Sequence, residues 1–459
     1  MRKDPIDPFA SMERVGFAAA SALALFYVSL RARRSHPGCA SPSELKCSFA
    51  RCKPTDWQYI AEGALNLALR YCGNDPNLVG IVLRVRKNNP EASGGVVDHR
   101  PWKESLRFVE NIILPLLGRR YVQPAIEVEF RKGFMRELAE SIEDSRPVAR
   151  RKNHLDYELE SGLLMLDNTC IPVGDGPTIC FELKIKCGFC PDSPFVTHEV
   201  KKRVDRFTMH QQLKNSQGKL DTVSRYSPVD LFSYDEPRVI KALQALVATP
   251  QNNFRMFVDG ALVFPDKKGH GSKQGLEEIL KKYPQVRGGV DGLLTELAEV
   301  LVREPLLDRI KKVQMLDDCD IEGTWPLYQK IVERNERVLP LADGKAIFPR
   351  DPPKQPPTDA VTQHDTVRRF MLSCTAKDCS VMLSLKPTGG ADKKLPSVRH
   401  LSVSTTDPRT IVDGFHGYSY SIAIVDLDPK PLEKMEHYYK LDKKVAEFYA
   451  KAERDGTLL

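Results

Sequence analysis

The chain has 459 residues, enough for two or three domains or one large two-lobed enzyme, and its 41% hydrophobic content supports a substantial core. A formal charge of +7 is mild for this length, so nucleic acid is not demanded as a partner, and a local basic pocket for a small polyanion fits equally well. Eleven cysteines are scattered without an even framework, which argues against a disulfide scaffold and for reduced thiols; Cys187 and Cys190 form a lone CxxC with no second pair to complete a zinc set.

Residues 1–54 stand apart as a leader. Val15–Leu30 is a run of sixteen apolar and small residues followed by Arg31, Arg33 and Arg34. That is short of the ~20 residues that span a bilayer. It fits a signal-peptide core, a signal anchor, an organellar presequence, or a non-native leader ahead of a soluble domain. Nothing later in the chain looks secreted, which favours the last.

The domain proper begins near Asp56–Trp57. There WQYIAEGALNLALRY joins an apolar strand to the turn Glu62-Gly63-Ala64-Leu65-Asn66, and a further strand, Val79–Val85, carries Arg84. Such a turn can close backbone N–H groups over a triphosphate with a cation on the return strand, although with one glycine an ordinary hairpin explains it as well. Trp102–Leu117 has the apolar spacing of a core helix, Tyr121–Phe130 alternates as a strand, and Phe134–Ile142 reads as a short helix. Arg146–Lys152 is a basic loop without helical register. The strand Gly162–Leu166 runs into Asp167-Asn168, the kind of polar turn at which, by analogy, two kinase lobes join.

Within Thr178–His210, Glu182, Lys184 and Lys186 alternate at period two, so an extended chain projects them from one face. Burying two lysines and a carboxylate there is costly without a polyanion and a metal. A turn through Gly188 and Pro191 leads to a helix-like run bearing Lys201, Lys202, Arg203 and Arg206 and ending in His210 and Lys214. A solvated strand edge beside a solvated basic helix is the plain alternative. Glu236–Ala248 has helical apolar spacing, and Asn252, Asn253 and Arg255 after it offer amide donors beside a fork-shaped cation. Residues 265–292 read as a loop enclosing one short helix. Leu293–Leu301, Leu306–Leu316 and Tyr328–Arg334 read as helices, and proline-rich 339–363 as a linker.

Asp378 stands just before an apolar strand, Val381–Leu385. After an insertion at about 386–417, a second strand, Tyr420–Val425, ends at Asp426. If the two strands pair, a carboxylate flanks each outer end. Kinase-type phosphoryl transfer uses that arrangement, one Asp accepting the hydroxyl proton and the other holding Mg²⁺. Lys430, Lys434, Tyr438 and Lys440 add a second basic set before a closing helix, Lys443–Ala452.

In order, ELKIKCGF (182–189), RFTMHQQLK (206–214), PVDLFS (228–233), QNNFR (251–255), DIEG (320–323), TAKDCSVM (375–382), DLDPKP (426–431) and HYYKLDKK (437–444) resemble the inositol-pentakisphosphate 2-kinase family over about Trp57–Lys451. The resemblance implies an α+β, bilobal kinase-like fold of the inositol phosphate kinase type. Its N-lobe sheet would span 55–168 and a larger α/β C-lobe 169–459, with insertions near 265–292, 339–363 and 386–417. It implies transfer of phosphate from ATP, with Mg²⁺, to the 2-hydroxyl of inositol 1,3,4,5,6-pentakisphosphate, giving the hexakisphosphate. A catalytically weak inositide-binding protein and a kinase for another inositol phosphate are the alternatives.

By position, the family implies that Gly63, Ala64, Leu65, Asn66 and Arg84 cover the nucleotide phosphates. Leu166, Asp167 and Asn168 would meet adenine, and Glu182, Asp426 and Arg255 would serve the nucleotide, with Mg²⁺ on Asp426. Lys184 would neutralise the transferring phosphate and Asp378 would be the general base. Arg150, Lys186, His210, Lys214, Asn252, Asn253, Lys430, Lys434 and Tyr438 would hold the inositide. No nucleic acid or membrane partner is expected for the catalytic domain. A monomer in cytoplasm and nucleus is expected, the leader leaving a targeting signal open.

Departures are local. Ile185 replaces the proline of the family's Glu-x-Lys-Pro-Lys motif, removing stiffness next to Lys186. Plant members carry arginines where Asn89 and Lys434 stand. They also have a His/Cys zinc site where this chain offers only Cys319 and His364, so no structural zinc is expected. The sequence around DIEGTWPLY looks closer to animal members.

Overall fold

The computed structural model describes residues 40–63, 65–87, 102–151, 154–171, 176–266, 268–284, 286–339, 341, 343–387, 413–415 and 418–459. The apolar run Val15–Leu30, Ala64, Asn89, Lys152 and most of the 386–417 insertion lie outside the described residues.

Two antiparallel sheets organise an α+β molecule. The first has five strands in the order β1-β2-β3-β5-β4: β1 Trp57–Glu62, β2 Asn66–Tyr71, β3 Ile81–Arg86, β4 Ile126–Glu129 and β5 Ser161–Leu166. Alternation is clean where one face is buried: Leu67 and Leu69 on β2, and Ile81, Leu83 and Val85 on β3, face a core shared with helices α1 (Pro42–Arg51) and α2 (Phe134–Ile142). Ser41 caps α1 reciprocally with Glu44, satisfying two end N–H groups.

The second sheet has six strands in the order β10-β11-β9-β6-β7-β8: β6 Ile179–Lys184, β7 Phe254–Val258, β8 Ala261–Phe264, β9 Ser380–Pro387, β10 Asp413–Phe415 and β11 Tyr418–Val425. One face carries Phe181, Leu183, Phe254, Val381 and Leu383 into the largest core, covered by α4 (Glu236–Ala248) and α5 (Gly289–Arg303). The other helices used below are α3 (Arg206–Ser216), α6 (Leu306–Gln314), α7 (Asp320–Glu333), α8 (Ala360–Lys377) and α9 (Met435–Arg454).

Several elements depart from their sequence expectation. The basic run is two helical pieces, Val200–Arg203 and α3, because Asp205 takes an extended backbone and caps α3 by accepting from Thr208 N–H. Arg146–Lys152 contains a helical turn, Val148–Arg151, and Arg146 itself is buried against Glu62. The linker expected to 363 ends earlier, because α8 starts at Ala360. That helix is buried nearly all round, Thr366, Arg369, Ser373 and Thr375 included, so it lacks the one-sided stripe that reveals a helix. Likewise α5 begins inside the expected 265–292 loop.

Buried polar contacts join the two sheets. Arg70 of β2 donates to Asp167 at 2.6 Å and reaches Asp259 O at 3.4 Å. Glu304 accepts from Tyr121 at 2.6 Å, from Tyr420 of β11 at 2.7 Å and from Arg120 Nε at 3.0 Å, while Ile424 N–H donates to Tyr121 O. The ten described cysteines are all free.

Candidate active site

Strand register assembles the first group. Within the sheet Glu182 lies opposite Arg255 on β7 and Met382 on β9, while Lys184 and Val425 both lie opposite Ser380. Asp426 therefore leaves β11 beside Lys184. Ser380 Oγ is 3.4 Å from both Glu182 Oε1 and Asp426 Oδ2, and Lys184 Nζ is 3.9 Å from the former and 3.7 Å from the latter. Arg255 Nη1 donates to Glu182 Oε2 at 3.1 Å. Asp426 holds φ 64°, a left-handed conformation that costs a non-glycine residue about 1 kcal/mol or more and persists only where its surroundings impose it.

Beside this group opens a cavity of about 990 Å³. Lys186 enters it from the end of β6, Arg206, His210 and Lys214 from successive turns of α3, and Lys430 and Tyr438 from the last segment. Asn252 and Asn253 come from the turn after α4, whose Asn253 carbonyl accepts Lys184 N–H at 2.9 Å. Asp378, at the C-cap of α8, completes the wall and accepts a short hydrogen bond from Lys430.

The cavity's cations are compensated only in part: Lys430 pairs with Asp378, Lys377 with Asp317 and Arg206 lies near Asp442. Burial pulls the Lys186 ammonium down to about 8 against the attraction of Asp378, with Lys184, Lys214 and Lys430 adding to the fall. Burial, then Lys214, Arg206, Lys186 and Lys219, hold His210 at about 4, so its ring is neutral at pH 7. Lys214 is lowered by burial and by Arg206 and Lys219. Asp378 feels burial, which raises it, but Lys430, Lys186 and Lys184 outweigh that and keep it below the ordinary carboxylate range. Crowded cations that depress one another favour the approach of a polyanion, which would relieve their repulsion.

Strand β6 ends at Lys184, and Lys186 sits beyond it at φ 59°, so the two lysines do not share a strand face as period two predicts. The left-handed residue turns Lys186 into the cavity while Lys184 stays beside Glu182 and Asp426. Arg150 is exposed on its helical turn, and neither it nor Lys434 lines the cavity.

On the first sheet, Gly63 N–H donates to Asn66 O at 2.9 Å and Lys87 N–H to Leu65 O at 2.8 Å, closing the turn between β1 and β2. Arg84, opposite Ala68, pairs with Asp428 two residues past Asp426. At the crossing between sheets, Leu166 pairs with Ile81, Asp167 is held by Arg70, and the Asn168 carbonyl accepts from Ser384 at 2.6 Å.

Sequence reasoning placed Arg206 in a basic run without assigning it to the site. Its guanidinium lies 3.4 Å from Asp442, and its Nη1 is buried without a partner. Lys377, next to Asp378, also lines the cavity and is tied to Asp317. By contrast Lys201 is internal: its ammonium contacts Asp320, Glu322 at 2.9 Å and Asp442 at 2.6 Å. These three carboxylates are close enough to share a metal, but Lys201 supplies the cation between them, so the DIEG segment reads as an anchor for α7. Cys319 is buried, and His364 bonds to Glu336 at 2.7 Å.

A family model described as inositol-pentakisphosphate 2-kinase matches residues 59–444. The inositol-pentakisphosphate 2-kinase of Oryza sativa subsp. japonica is 34% identical over 429 residues, covering 86% of this chain and 94% of the relative. That of Arabidopsis thaliana is 32% identical over 441 residues, covering 87% and 94%, and that of Danio rerio 28% over 480 residues, covering 86% and 93%. An animal relative is thus among the matches, but the plant proteins match at higher identity, so the expected closeness to animal members is not what the identities give. Among the described residues no helix is long and apolar enough to cross a membrane.

Proposed function

The chain belongs to the inositol-pentakisphosphate 2-kinase family, and from that premise we propose that it moves the γ-phosphoryl group of ATP to the 2-hydroxyl of inositol 1,3,4,5,6-pentakisphosphate, with Asp378 as general base. The observation that carries this reading is the position of Asp378: it is in the wall of the polybasic cavity, within the field of both Lys186 and Lys184. The two sheets are read as the N-lobe (55–168) and C-lobe (169–459) of a bilobal inositol phosphate kinase fold.

The substrate's charge explains the cavity. Five phosphate monoesters at ~1.5–2 negative charges each give about −8 or more, too much for one helix end and suited to cations spaced around a rigid ring. Lys186, His210, Lys214 and Lys430 take these phosphates, with Tyr438, Asn252 and Asn253 as uncharged donors. On this reading Arg150 and Lys434, outside the cavity wall, reach substrate only once the cleft has closed around it.

On the nucleotide side, the Gly63–Asn66 turn and Arg84 cover the phosphates, Leu166 to Asn168 meet adenine, and Arg255 lies between nucleotide and inositide. Glu182 and Asp426 bracket the Ser380 hydroxyl with carboxylate oxygens, the donor type Mg²⁺ takes beside phosphates, and the ion bound there would neutralise charge on the transferred group. Lys184 holds position at the phosphoryl group. Asp378 takes the hydroxyl proton on a carboxylate oxygen as the new ester bond forms. Incubation with Mg-ATP and inositol 1,3,4,5,6-pentakisphosphate, followed by anion-exchange chromatography, should yield hexakisphosphate. Product formation that persists in Asp378→Asn would remove the general-base assignment.

A further inference from the structure

One buried amide spans the two halves of this chemistry. Gln314, the last residue of α6, has no exposed surface. Its Nε2 donates to Lys186 O at 2.8 Å and to Ala376 O at 3.1 Å, and its Oε1 accepts from Gly188 N–H at 2.9 Å. Both amide hydrogens and the carbonyl are thus committed to backbone. On one side they hold the loop in which Lys186 is left-handed. On the other they hold the end of α8, where Asp378 follows Ala376 by two residues and its N–H closes on Thr375 O. The loop has little other freedom: Ile185 is fully buried with its carbonyl bonded to Tyr226 at 2.8 Å, and a Cβ on Gly188 would lie 2.3 Å from the Phe232 ring.

We propose that Gln314 is a positioning residue that sets the separation between Lys186, which grips the inositide, and Asp378, which takes its proton. This rests on the assignments of Lys186 and Asp378 made above. It also answers how Lys186 is fixed beside Ile185: the restraint a proline ring would supply from within the chain comes from outside, through Gln314. The same amide serves both residues, so its loss should loosen substrate grip and base alignment together and leave nucleotide binding alone.

The test is a double-mutant cycle of Gln314→Met and Lys186→Ala, with folding verified by circular dichroism. Gln314→Met should lower kcat/KM for inositol pentakisphosphate on the order of 30-fold, the scale of a sub-ångström to 1 Å misplacement, with KM for ATP within about twofold. Because Gln314 acts in part through Lys186 and in part through the Asp378 end of α8, the double variant should lose more than Lys186→Ala but clearly less than the product of the two single losses. Wild-type kcat/KM in folded Gln314→Met, or losses that multiply in the double variant, would overturn the proposal. Full activity in Lys186→Ala alone would instead overturn the assignment of Lys186, and this inference with it. Should Gln314→Met not fold, Gln314→Glu keeps the bulk and the acceptor for Gly188 while removing the donors, and the same cycle is read with it.

Discussion

Lys430 is ion-paired with Asp378, so the carboxylate assigned as base is held in its charged form before substrate arrives. An anion matched to an ammonium is a weak proton acceptor. On the proposed assignment, inositide phosphates compete for Lys430 and Lys186, and as they take those cations Asp378 should become more basic. The acid limb of kcat/KM, which reports free enzyme, should therefore lie at lower pH than the acid limb of kcat, which reports the complex. Lys430→Ala should move the free-enzyme limb upward. Coincident limbs in the wild type would contradict this account.

Substrate binding should take up protons. His210 at about 4 and Lys186 at about 8 are held down by burial and neighbouring cations. A polyanion reverses the cationic part, raising both. Affinity should then increase as pH falls from 9 towards 7, since a group whose pKa rises on binding favours the complex at lower pH. Calorimetry in buffers of different ionisation enthalpy measures the uptake directly. Lys186→Met should abolish most of it near pH 8.

Arg84 is paired with Asp428, so if it covers the nucleotide phosphates as proposed, Asp428 competes with nucleotide for it. The pair is partly exposed, which limits its strength to about 1 kcal/mol. Asp428→Asn should accordingly lower KM for ATP by about two- to fivefold, and Arg84→Ala should raise it. An unchanged KM in Asp428→Asn would mean that Arg84 needs no release.

Lys201 should matter for stability rather than turnover. Replacing it by Met removes the cation shared by three carboxylates, leaving Asp320 without one while Asp442 keeps Arg206 and Glu322 keeps Thr197, a change expected to cost about 3 kcal/mol. Burial alone would raise Glu322, but Thr197 and Lys201 hold it at about 2. Its contribution is present above the unfolded value near 4.3 and is lost as pH falls towards about 2. Urea titrations of Lys201→Met at neutral pH, beside kinetics on the folded fraction, separate the two effects. A midpoint equal to wild type would refute the structural role.

Local signals carried a good part of the fold. Phe134–Ile142 and Glu236–Ala248 begin and end where apolar spacing predicts, because each buries one stripe. Asp378 and Asp426 do flank paired strands, because both lie at the ends of short apolar runs. What depends on distant contacts was not legible. Helix α8 has no polar face to reveal its period. Lys186 leaves the strand face through a left-handed turn that no side-chain alternation encodes. The bonds of Gln314 to Lys186 and Ala376, and of Ser380 to Glu182 and Asp426, join segments far apart in sequence.

The free thiols have a practical consequence. Cys187 and Cys374 border the cavity, yet burial pushes both up, Cys374 to about 12. Alkylating reagents attack the thiolate, so at neutral pH these two should remain unmodified. Cys47 on α1 and Cys72 are the exposed thiols among the described residues, and Cys47 offers an attachment point once Cys72 is replaced by Ser. A fluorophore placed there would sit away from the cavity and could report its occupation without obstructing it.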